Sequence, residues 1–95
     1  MNGETYTFYC PPGKPEPSRV DGSGPYTDSS SICTAAVHAG VIRPQSGGSV
    51  TIEIRPGQNG GYAGSERNYI RTGSYQRAWG GSFLVAAPGP AGLAR

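Results

Sequence analysis

Val50-Thr51-Ile52-Glu53-Ile54-Arg55 alternates apolar and polar residues without a break. That is the period of a half-buried strand, and it turns Val50, Ile52 and Ile54 inward. Thr5 to Tyr9 is an unbroken run of β-branched and aromatic residues that stops at Cys10 and Pro11-Pro12-Gly13, which predicts a second strand. Phe83 to Ala87, preceded by Gly80-Gly81, is apolar throughout and predicts an interior strand; a weaker one is expected around Ile70, from Asn68 to Thr72. One segment changes period. Ile32, Ala35, Ala36 and Ala39 recur at spacings of three and four, predicting a helix over about residues 30–39. Thr27 to Ser31 before it is rich in N-cap types, with Asp28 read as a cap, and Gly40 stands where the closing turn needs a left-handed residue. A helix this short requires tertiary support, and its small side chains let neighbouring sheets come close. The fold class is therefore α+β, with a central helix covered on more than one side.

Composition makes that core thin. Of 95 residues, 16 are glycine and 9 proline, too many for long regular elements. Five prolines fall within residues 11–25, so this segment is expected to cross the surface. Residues 88–95, Pro-Gly-Pro-Ala-Gly-Leu-Ala-Arg, have linker composition, which leaves 1–87 as the domain and 88–95 as a disordered tail. Cys10 and Cys33 permit one bridge, suited to an oxidising compartment; two buried thiols in a reducing one are the alternative. A zinc site is not expected, because His38 is the single imidazole. No leader pattern precedes the first strand, and no apolar run is long enough to span a membrane.

Charge divides the chain. Residues 1–40 carry Lys14 and Arg19 against four carboxylates, whereas residues 41–95 carry six arginines against Glu53 and Glu66. Arg55, Arg67, Arg71 and Arg77 are interleaved with Tyr62, Tyr69 and Tyr75, so guanidinium forks can meet phosphate or carboxylate while rings stack on sugars. Nucleic acid is not expected: the net charge is only +2 and no lysine cluster occurs. Catalysis is not expected either. His38 lies near many serines, but no nucleophile-elbow motif is present, and it reads as a structural histidine whose ring meets backbone or water. Against the ligand reading of Tyr62 stands another, in which Trp79 and Tyr62 are core or turn-packing residues.

Tyr26-Thr27-Asp28-Ser29-Ser30-Ser31-Ile32-Cys33-Thr34-Ala35-Ala36-Val37-His38-Ala39-Gly40-Val41-Ile42 resembles the signature of the LCCL domain family. Gly47-Gly48-Ser49-Val50, Arg55-Pro56-Gly57, Tyr62-Ala63-Gly64-Ser65, Arg67-Asn68, Ile70 and Trp79 with Ser82-Phe83 continue the pattern. The resemblance implies a central short helix wrapped by antiparallel β-sheets, an extracellular or periplasmic setting, and adhesion or lipopolysaccharide binding. It also implies the pairing of Cys10 with Cys33, as what remains of a four-cysteine pattern in which Lys14 stands where Cys33 would find its partner. Asp21-Gly22 departs from a Trp-Gly pair common in the family. Alanine-, arginine- and glycine-rich usage suggests a bacterial member. The expected role is a non-enzymatic module without cofactor that binds an anionic glycan or lipopolysaccharide through Arg55, Arg67, Arg71, Arg77, Tyr62, Tyr69 and Tyr75. The alternative is a structural docking or spacer module beside other domains of a parent protein.

Overall fold

A computed structural model describes residues 3–13, 20–58, 60–75 and 80–87. The elements run β1 (Thr5–Cys10), β2 (Tyr26–Thr27), α1 (Ile32–Ala39), β3 (Gly48–Pro56), β4 (Glu66–Arg67), β5 (Ile70–Arg71) and β6 (Gly81–Ala86). Four strands form an antiparallel sheet in the order β1-β3-β6-β2, and β4-β5 form a separate hairpin. The fold is α+β, as the periodicities predict. The helix α1 touches β6 of the sheet and both strands of the hairpin, so it is covered by two sheets.

Alternation places the core. Val50 and Ile52 of β3 are buried and Ile54 is half-buried. Ile52 and Ile54 stand opposite Val85 and Phe83 of β6, which joins the two interior strands on one apolar face. Against that face α1 presents Ala35 and Ala36, both without solvent contact, where larger side chains would hold helix and sheet apart. The Tyr26 ring lies 5.8 Å from that of Phe83 and closes the core from β2. A disulfide joins Cys10, the last residue of β1, to Cys33 in the first turn of α1, with Cα atoms 5.7 Å apart.

Both helix ends follow from single residues. Ser31 is the N-cap; its hydroxyl accepts from the Thr34 amide. The cap is thus Ser31 and not Asp28, which stands three residues upstream and whose amide donates to the Gly81 carbonyl. Gly40 closes the helix at φ 82°, with its amide bonded to Val37 and that of Val41 to Ala36. That pair of bonds is a Schellman motif.

Three further expectations change. Residues 68–72 are not one strand, because Asn68 and Tyr69 take positive φ and form the two-residue turn between β4 and β5. Residues 20–22 do not cross the surface: Val20 and Asp21 are buried, and Asp21 bridges to Gly73. Tyr26–Thr27 pairs with Phe83 and Ser82 as an edge strand that a two-residue segment cannot announce by period. The tail at 88–95, and with it Arg77 and Trp79, lies outside the described residues.

Candidate functional site

The candidate ligand residues separate into three places. Arg55 belongs to β3, where its guanidinium meets Glu53 at 3.0 Å on an exposed face. Tyr62 and Tyr75 exchange two backbone hydrogen bonds of 2.6 and 2.8 Å, and with Gly60, Gly61, Ala63 and Ser74 they line a trough of about 300 Å³. Tyr62 itself is only 3% exposed and its hydroxyl accepts from the Gln58 amide, so it packs beneath that trough instead of offering a ring face. Tyr75 is half-buried.

The third place is the β4–β5 hairpin. Both turn residues have positive φ, 52° at Asn68 and 67° at Tyr69. Asparagine tolerates that region, and its side-chain amide donates to the His38 carbonyl at 2.9 Å, anchoring the tip to the end of α1. Tyrosine is different. A bulky residue in the left-handed region is strained, and glycine is the usual occupant of that turn position. Here the ring is 99% exposed, so no packing contact offsets the strain. Arg67 and Arg71 flank it. Residues alternate across a hairpin, which places Arg71 beside Glu66 on one face and Arg67 beside Ile70 on the other. Arg71 donates to one Glu66 oxygen at 3.0 and 3.3 Å; Arg67 reaches the Ser23 carbonyl at 3.3 Å.

Beneath the hairpin runs a polar chain that sequence reading did not find. Ser23 donates from Oγ to the Ala63 carbonyl at 2.7 Å, and a carbonyl can only accept. Ser23 therefore accepts from Ser65 Oγ (2.7 Å), Ser65 from His38 Nε2–H (3.1 Å), and His38 Nδ1 from the Tyr26 hydroxyl (2.8 Å). His38 is thus held by the Tyr26 and Ser65 hydroxyls, together with a backbone hydrogen bond at Ser65 of the kind expected for it. Burial lowers its pKa below 6.5; a hydrogen bond at Ser65 opposes that and the positive charge of Arg67 reinforces it. Burial likewise raises the Tyr26 phenol above 10, so the phenol keeps its proton. Because Nε2 carries the hydrogen, it cannot accept a proton from Ser65, and this serine–histidine pair is not arranged as nucleophile and base. Only chain-distant residue types, 12 and 27 positions from His38, mark this arrangement, and no local pattern announces them.

Among the described residues no three His, Cys, Asp or Glu side chains gather as metal ligands, and no helix is long and apolar enough to cross a membrane. The profile of the LCCL domain matches residues 1–83. This chain belongs to the LCCL domain family. Mouse vitrin (Mus musculus) is 42% identical over 82 residues, which is 85% of this chain and 12% of vitrin. Human cochlin (Homo sapiens) is 43% identical over 77 residues, 80% of this chain and 14% of cochlin. The human cysteine-rich secretory protein LCCL domain-containing 2 is 44% identical over 71 residues, 70% and 14% respectively. The chain thus spans between a tenth and a sixth of the length of these relatives, the extent of one module.

The LCCL signature can now be read residue by residue. Tyr26 and His38 hold the polar chain, Ser31 caps the helix, and Cys33 carries the disulfide. Ala35 and Ala36 set the distance between helix and sheet, and Gly40 supplies the left-handed turn. Each of these is a requirement of this fold; Tyr69, 99% exposed, meets no such requirement.

Proposed function

We propose that this LCCL domain is a non-enzymatic recognition module of an extracellular or periplasmic protein, and that the β4–β5 tip binds an anionic glycan such as a phosphorylated or sulfated surface sugar. Tyr69 carries the reading: a fold keeps an aromatic ring at φ 67° and fully in solvent when the ring is used there. Arg67 and Arg71 supply forked donors on either side of it. Lipopolysaccharide, with phosphates on a sugar backbone, suits this chemistry. The relatives are animal proteins, while the alanine-, arginine- and glycine-rich composition of this chain supports a bacterial member of the family.

Isothermal titration with lipopolysaccharide and with heparin-derived oligosaccharides at two salt concentrations tests the reading. Binding should weaken as salt rises, disappear in Tyr69→Ala, and persist in Arg55→Gln, whose arginine belongs to the other sheet. Two observations favour a second reading, a structural docking or spacer module: Arg55 and Arg71 already meet Glu53 and Glu66. That reading holds if neither glycan releases or absorbs heat at low salt.

A further inference from the structure

A cleft of about 320 Å³ opens beside the disulfide, on residues the hairpin does not use. Pro11, Pro12 and Pro44 wall it, Val37 and Ile42 add branched side chains, and Cys10 and Cys33 contribute the sulfur bridge. Proline has no amide hydrogen, so these walls offer flat hydrocarbon and few donors. Among the described residues, one cation lines the cleft. Arg43 is exposed, and its guanidinium forms no ion pair or side-chain hydrogen bond with any described residue. That separates it from Arg55 and Arg71, each of which has a neighbouring glutamate.

The walls are stitched together before any ligand arrives. The Gly13 amide donates to the Pro44 carbonyl at 2.7 Å, and the Gly47 amide closes the turn onto Arg43 at 2.8 Å. Proline rings and the disulfide limit further motion, so little ordering cost falls on binding. Size restricts the occupant. A cavity of about 150 Å³ takes benzene, so roughly twice that volume suits one ring with a short acid arm.

We propose that this cleft binds a small aromatic carboxylate, whose ring lies between the proline faces and whose carboxylate meets the Arg43 guanidinium. The uncharged part contributes apolar burial, and the fork contributes a charge-assisted pair that selects an acid over its amide. The cleft is separate from the hairpin tip, and either site can fail without the other.

The test is a titration of the isotope-labelled chain, disulfide intact, with 3-phenylpropionate, its amide, and hexanoate, read from backbone amide shifts. Ligands of this size bind in about the millimolar range or tighter. Saturable shifts at Val37, Ile42, Arg43 and Gly47 are expected, with the amide and hexanoate each at least about fivefold weaker than the aromatic acid. Arg43→Gln should weaken the acid by a similar factor, leave the amide unchanged, and retain the parent spectrum elsewhere. No saturable shift, equal affinity for acid and amide, equal affinity for hexanoate, or shifts confined to Arg67 through Arg71 would each overturn the proposal.

Discussion

Tyr69 and His38 show opposite uses of one residue. Tyr69 carries backbone strain with no contact to offset it. Tyr69→Gly should therefore raise the stability of the domain by about 0.5–1 kcal/mol in urea unfolding while abolishing glycan binding. A variant that is both less stable and fully able to bind would remove the argument for the tip. His38 is fully buried, and its folded pKa lies below the unfolded value of 6.5. The sign follows from proton counts: below pH 6.5 the unfolded chain takes up a proton that the folded one refuses, so stability is complete above that pH and falls as pH drops through it. For a single proton the slope is at most about 1.4 kcal/mol per pH unit. Because the chain has one histidine, urea midpoints between pH 7.5 and roughly 5 report on it directly. A flat profile across that range would contradict the buried, neutral imidazole.

At the scale of elements, the helix is held at three points: the Ser31 cap, the Gly40 turn and the disulfide to β1. The bridge encloses a loop with a sequence separation of 23, so removing it should cost about 3 kcal/mol in the chain-entropy model. For a domain of this size that corresponds to a fall in Tm of roughly 12–24 °C. Paired Cys10→Ala and Cys33→Ala substitutions, followed by calorimetry, measure it. Most of these elements were legible beforehand. The alternation at Val50 to Ile54, the three–four spacing from Ile32 to Ala39 and the glycine at 40 each encode structure within a few neighbouring residues. β2 and the β4–β5 turn were not legible. Two residues contain no period, and Tyr69 gives the wrong local signal for a left-handed turn.

The molecule as a whole is organised by close approaches between segments that are distant in sequence. Gly47 is the clearest case. It has φ 63°, and a Cβ there would collide with the Cys10 carbonyl oxygen and lie 2.7 Å from the Pro12 nitrogen. Gly47→Ala should consequently cost about 2 kcal/mol or more and displace the 43–47 turn from the disulfide, visible as a lowered urea midpoint and shifted Cys10 and Pro12 resonances. Nothing near Gly47 in the chain foretells that collision. The same holds for the candidate site: arginines and tyrosines of similar spacing ended in separate places, with Tyr62 buried, Arg55 in the larger sheet, and Tyr69 at the hairpin tip between Arg67 and Arg71. By itself, the order of side chains determined the helix, its glycine stop, the inward face of β3 and the chemical types available for binding. Those features depend on contacts within a turn or between alternate residues. Tertiary structure alone decided which strand edges met, which hydroxyls surround His38, and which of the described arginines met a carboxylate, because these depend on distances that chain separation does not constrain.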